Sequence, residues 1–193
     1  MTFRNNTDFS EILFDAHGQR KYLSAGERQR FLMAAERAEL RTRAFCRILA
    51  YTGCRISEAL AITPRSVDAE CGRVILRTLK RRKRVFRMVP IPPVLIGELT
   101  LLATGVYADA RLWVWCRQTG WRRIKSVMAQ ARIRGPQASP KGLRHAFGIA
   151  AAEENIPAGL TQRWMGHARL ETTVLYQHAV GHEELAFAKR LWD

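Results

Sequence analysis

Between residues 72 and 91 the hydrophobic pattern changes period, and this limits the fold more than any other feature. "GRVILRTL" (72–79) and "RVFRMVPI" (84–91) alternate and are rich in β-branched side chains. That is the signature of strands with one buried face. "KRRKR", residues 80–84, lies between them, so the pair reads as an antiparallel hairpin with a basic tip. The flanking sequence follows helical spacing instead. In "LSAGERQRFLMAAERA" Ser24 and Glu27 form a capping box, and Phe31, Leu32, Ala35 and Ala38 supply an apolar face. "RTRAFCRILAYTG" is a second helix, stopped by Gly53. "RISEALAI" is a short one, ended at Thr63-Pro64. After the hairpin come "PVLIGELTLLA", then "WRRIKSVMAQARI" with Ile124, Val127 and Met128 on one face. "SPKGLRHAFGIAAAEEN" follows, with Ser139 before Pro140 as its start. "PAGLTQRWMG", "LETTVLYQHA" and "HEELAFAKRLW" complete the chain. The expected fold is mostly α (α+β): a helical domain with one small antiparallel β-sheet. Residues 1–22 read as a loose polar arm and 23–193 as a single domain. Trp113, Trp115, Trp121 and Trp164 are expected in its core.

Charge narrows the function. Lys and Arg number 32 against 17 Asp and Glu, a formal net charge of +15. Such a balance suits a protein that works on a polyanion. With 47% hydrophobic residues the chain can build a real core, so it is not a disordered basic tail. No basic amphipathic helix with an aromatic face stands out, which favours nucleic acid over a membrane surface. The N-terminus carries no apolar signal region, and no window of eighteen apolar residues occurs. Cys46, Cys54, Cys71 and Cys116 have no C-x-x-C spacing, so reduced thiols in a cytoplasmic protein are expected rather than a zinc site.

A basic domain that breaks a phosphodiester without metal needs three things. Guanidinium groups must hold the charge on the non-bridging oxygens. A nucleophile must attack, and an acid must protonate the leaving oxygen. The chain shows no Asp/Glu cluster suited to Mg²⁺, and no metal or other cofactor is expected. The candidates are Arg55 in "TGCRISE", Lys80 after the first strand, Arg144 in "SPKGLRHAF", and His167 with Tyr176 in "GHARLETTVLYQH".

"TGCRISEAL", "GLRH", "GH" and "TTVLYQH", in this order, resemble the catalytic domain of tyrosine recombinases, the phage integrase family. The resemblance spans roughly residues 22–193 and implies the corresponding catalytic fold. It also implies a metal- and ATP-independent transesterification. Arg55 and Arg144 would clamp the scissile phosphate, and His167 would hydrogen-bond one of its oxygens. Lys80, with Lys83 as the alternative, would protonate the leaving 5′ hydroxyl. Tyr176 would attack phosphorus and form a 3′-phosphotyrosine. Glu58, three residues after Arg55, would orient the site. Arg81, Arg82, Lys83 and Arg84 would grip backbone phosphates.

The residues support part of this independently. Gly166 can end one helix and Thr172 can cap the next, which would put Tyr176 in its first turns, near the positive end of the dipole. One position departs from the family: its second box usually reads His-x-x-Arg, and here Lys141 stands at the histidine's place. Lys141 is expected to act as a charge on the phosphate. His145 is a substitute acceptor that should face another side of the helix.

The expected activity is site-specific recombination of mobile DNA: integration, excision or inversion. The alternatives are an inactive DNA-binding relative and a topoisomerase-like nicking and religating enzyme. Double-stranded DNA is the expected partner, with a monomer in solution and a homo-tetramer on paired sites. Some twenty residues precede the catalytic pattern, where relatives carry a further helical domain. An accessory DNA-binding protein is therefore a further expected partner. Leu185, Ala188, Leu191 and Trp192 form the apolar face of the last helix, expected to dock on a neighbouring subunit.

Overall fold

The structure is a computed structural model that describes residues 12–78, 85–176 and 188–192. In chain order the elements are α1 (Ala25–Glu36), α2 (Leu40–Thr52), α3 (Ile56–Ala59), β1 (Val67–Asp68), β2 (Arg73–Thr78), β3 (Val85–Pro90), α4 (Pro93–Ala103), α5 (Arg117–Gln130), α6 (Pro140–Glu153), α7 (Ala158–Met165) and α8 (Glu171–Val174). The protein is thus mostly helical with a small antiparallel sheet of order β1-β2-β3. The two-residue β1 pairs through Val67 with Val74 and was too short to show a period in the sequence.

Local signals set the helix boundaries. Ser24 Oγ accepts from the Glu27 backbone N–H at 3.3 Å, and the Glu27 carboxylate accepts from the Ser24 N–H at 3.0 Å. Ser139 Oγ likewise accepts from the Gly142 N–H at 3.1 Å, starting α6. Gly53 and Gly166 end α2 and α7 in the left-handed region, at φ 58° and 67°. A β-carbon costs energy there, so glycine is the natural stop.

Helix α2 forms the centre of the core. Ala44, Phe45, Cys46, Ile48, Leu49 and Ala50 are all buried, and α1, α4, α5 and α6 pack around them. Phe45 meets Trp113 and Trp115 edge-on, with ring centroids 5.3 Å and 5.5 Å away. An ion cluster centred on the buried Arg47 and Glu98 fixes α2 on α4. Arg47 bonds both Glu98 and Glu36, and Arg43 Nε donates to Glu98 at 2.5 Å. Trp121 departs from expectation: it is 45% exposed, with Lys125 Nζ 5.7 Å from its ring. Gly120, Ile124, Val127 and Met128 are the α5 residues that turn inward.

β2 buries Val74, Leu76 and Thr78, so the predicted alternation holds there. On β3 the inward positions include Arg87 and Val89, opposite Leu76 and Val74. A charge thus sits where the alternation calls for an apolar residue.

Residues 12–22 are not loose. Leu13 is fully buried in a second small core with Ile149, Met165 and Tyr176, backed by Ile12, Phe14 and Tyr22. Phe14 and Arg20 pair as an isolated bridge, and Lys21 N–H donates to Leu13 O at 2.7 Å. Four apolar side chains, the consecutive Ile12, Leu13 and Phe14 and the later Tyr22, anchor the segment. At the other end Leu191 and Trp192 are exposed, at 86% and 68%. Leu185 lies outside the described residues. Among the described residues no helix is long and apolar enough to cross a membrane.

Candidate active site

The ends of α2, α6 and α7 converge, and the site is built where they meet. Gly53 stops α2, and two residues later Arg55 opens α3. Glu58, in the first turn of α3, reaches back to it. Its Oε2 accepts from the Arg55 backbone N–H at 3.0 Å, and its Oε1 accepts from Arg55 Nη1 at 3.1 Å. The same carboxylate accepts from Arg87 Nη2 at 2.6 Å. Burial alone would raise the Glu58 carboxyl. The hydrogen bond and charge of Arg87, with the N–H and charge of Arg55, hold it below the usual carboxylate range instead.

Arg87 was missed by sequence reasoning. Its guanidinium joins three elements. Nε donates to Trp164 O at 2.7 Å, Nη1 to Thr78 Oγ1 at 3.0 Å, and Nη2 to Glu58. The signal was present: an arginine in phase with the inward positions of a strand. A planar fork with five donors suits such a junction.

Arg144, on the first turns of α6, donates through Nη1 to Gly53 O at 2.5 Å and to Met165 O at 2.9 Å. Both carbonyls belong to helix ends, where backbone acceptors lack helical partners and the dipole is negative. The other terminal nitrogen, Nη2, is buried without a hydrogen-bond partner among the described residues. Burial first, then the nearby Arg55, pull the guanidinium down to about 10, so it stays charged at neutral pH. A buried, charged donor with no acceptor is the arrangement an anion completes.

His167 follows Gly166, and its Nδ1 lies 2.8 Å from Thr173 Oγ1. Burial, then the charges of Arg144 and Arg55, push it down to about 3, so the ring is neutral. It stacks on Tyr176 with centroids 6.1 Å apart and planes 21° from parallel.

Tyr176 is 2% exposed. A β-carbon on Gly148 would sit 2.6 Å from two of its ring carbons, so α6 accepts the ring only because that position is glycine. The phenol hydroxyl lies 3.0 Å from His145 Nδ1. Burial raises the phenol to about 12, against the opposing pull of Arg144 and Arg55. Its placement differs from expectation. α8 begins at Glu171 with Leu170 at its cap, so Thr172 lies inside the helix. Tyr176 follows the C-cap Leu175, and its N–H donates to Thr173 O at 3.0 Å. The positive end of that dipole therefore points elsewhere. His145, expected on another side of the helix, is buried like Arg144 and lines the same cleft, with its Nδ1 on the Tyr176 hydroxyl.

Lys141 stands exposed at the rim of a cleft of about 590 Å³. Arg55, Arg117, Trp121, Arg144 and His145 also line it. The structure thus brings Arg55, Glu58, Arg144, His167 and Tyr176 together, with Lys141 at the edge. Lys80, Arg81, Arg82, Lys83 and Arg84 lie outside the described residues. Among the described residues no group of three or more His, Cys, Asp or Glu could hold a metal ion.

The model of the phage integrase family matches residues 21–182. Tyrosine recombinase XerD of Haemophilus influenzae is 31% identical over 168 residues, covering 80% of this chain and 54% of that protein. The chain spans about half the length of the curated relatives it matches. The crystal structure of XerA recombinase superposes with a TM-score of 0.72 at 26% identity, over 88% of this chain and 64% of that one. The catalytic domain of bacteriophage HP1 integrase gives a TM-score of 0.61 at 22% identity, over 86% of this chain and 93% of that domain. Its likeness shows the fold.

Proposed function

Because the chain belongs to the phage integrase family, we propose that it cleaves and rejoins DNA strands through a 3′-phosphotyrosine intermediate. The observation that carries this reading is the buried Nη2 of Arg144, without a partner among the described residues, in the cluster that holds the Tyr176 hydroxyl. A scissile phosphate seated there supplies the missing acceptor. Arg55 and Arg144 hold its non-bridging oxygens. As charge grows in the transition state these contacts strengthen, and that difference accelerates the reaction.

His167 acts as a neutral donor. When the Thr173 hydroxyl donates to Nδ1, the ring proton sits on Nε2, free for a phosphate oxygen. Glu58 fixes Arg55 and is itself held by Arg87. Lys141, at the cleft rim, adds positive charge towards the phosphate backbone. Lys80 protonates the leaving 5′ oxygen, and Arg81, Arg82, Lys83 and Arg84 contact backbone phosphates. The DNA is double-stranded, and the enzyme acts as a homo-tetramer on paired sites, with an accessory protein adding grip. The biological outcome is rearrangement of mobile DNA.

The test is a pool of nicked duplexes of randomised sequence. Wild-type protein is expected to give a covalent protein–DNA band on a denaturing gel, and Tyr176→Phe none. A band that survives in Tyr176→Phe, or no band with wild type, would sink the proposal.

A further inference from the structure

Tyr176 brings a proton into the site, and something must take it. Burial raises the phenol to about 12, so at neutral pH only about one hydroxyl in 10⁵ is ionised. The lysine at position 141 is exposed and extends the cleft rim. The hydroxyl's own partner is His145, whose Nδ1 is 3.0 Å away with the two ring centroids 6.0 Å apart. Both residues are buried, so water does not compete for this bond.

We propose that His145 is a catalytic residue of this chain: it accepts the proton of the nucleophilic hydroxyl, the task left open by the lysine at position 141. The proposal rests on the strand-transfer reading above. When Tyr176 donates to Nδ1, the proton of the neutral ring lies on Nε2. That nitrogen is buried with no hydrogen-bond partner among the described residues, and its residue lines the cleft. An anion in the cleft would pair with it and stabilise the imidazolium as it forms.

The charged and titratable groups facing His145 come from several elements. Lys141 and Arg144 lie on its own helix, Lys21 precedes α1, and His167 and Tyr176 flank α8. Burial and these cations hold the ring down to about 4, so it is a neutral acceptor at pH 7. A resting value that low makes it a weak base, and the arriving phosphate charge raises it towards the working range.

The step balances. Tyr176 Oη forms a bond to phosphorus as the bond from phosphorus to the 5′ oxygen breaks. The electron pair of that bond leaves with the oxygen, which takes a proton from the acid assigned to Lys80. The phenol proton ends on His145 Nδ1. On rejoining, the 5′ hydroxyl returns its proton to that acid and bonds to phosphorus as the bond from phosphorus to Oη breaks; Oη leaves with the electron pair and regains its proton from His145.

The experiment measures single-turnover adduct formation on the same pool of nicked duplexes across pH. His145→Asn keeps an acceptor at the position of Nδ1 but cannot take a proton. It is expected to melt close to wild type, to shift DNA on a native gel, and to lose about 10²–10⁴-fold in rate. Its remaining rate should climb about tenfold per pH unit, because the phenol must then ionise unaided, while wild type stays flat around neutral pH. His145→Ala should regain rate with added imidazole. A rate for His145→Asn comparable to wild type would overturn the assignment. So would a loss with neither pH slope nor imidazole rescue, or a wild-type rate that itself climbs tenfold per unit. Absence of any Tyr176-dependent adduct from wild type would instead overturn the strand-transfer reading, and this assignment with it.

Discussion

At the scale of single residues, small atoms decide where large ones go. Gly148 is the clearest case, since a β-carbon there would sit 2.6 Å from the Tyr176 ring. Gly148→Ala should push the ring out of its pocket. Overpacking of this kind costs about 1–3 kcal/mol, and adduct formation should fall with it. Denaturant unfolding and the denaturing gel check both; a variant as stable and active as wild type would show that the ring does not rest on α6. Tyr176, Arg55, Arg144 and His167 were all legible as candidates, because four short motifs occur in order. His145 was legible only as a substitute acceptor, and its place on the Tyr176 hydroxyl was not. Helical-wheel reasoning places His145 away from Arg144, and only the packing on both flanks of α6 brings it to the tyrosine.

Among the elements, α3, β3 and α7 are held together by Arg87. Its partners are Glu58 on α3, Thr78 on β2 and the Trp164 carbonyl on α7. Arg87→Leu leaves Glu58 buried with Arg55 as its remaining cation. Removing one member of a buried pair costs about 3–5 kcal/mol. The double variant Glu58→Met with Arg87→Leu should recover most of that stability, because no buried charge is stranded. It should not recover DNA cleavage, because Arg55 then lacks its carboxylate. A double-mutant cycle in denaturant, with adduct assays alongside, separates the two effects; additive stability losses would refute the coupling. The elements themselves were mostly readable, since capping residues and periodicity agree at α1, α2 and α6. α8 was misread because threonine is a good cap in isolation, and nothing local shows that the helix begins before it.

For the whole molecule, burying two histidines makes stability depend on pH. His145 and His167 are pushed from 6.5 down to about 4 and about 3 in the folded protein. The unfolded chain therefore binds more protons below 6.5. The sign follows: their contribution is fully present above 6.5 and is lost as pH falls through that window. Glu58 acts in the same direction at lower pH, because its folded value lies below the ordinary carboxylate value of 4.5. The melting temperature should begin to fall just below pH 6.5, and His145→Asn should flatten part of that fall. An unchanged slope in the variant would contradict the neutral, buried imidazole.

By itself the sequence determined the helical class, the hairpin, most helix ends and the residues worth testing. Those follow from local rules: hydrophobic period, capping chemistry, and residue types suited to phosphate. Tertiary structure decided what each group touches. It sealed residues 12–22 over the tyrosine, put Arg87 under Glu58, left one nitrogen of Arg144 without an acceptor among the described residues, and set His145 on the nucleophile. These contacts join residues as far apart in the chain as Leu13 and Tyr176. They depend on how helix ends meet in space, which no local pattern encodes.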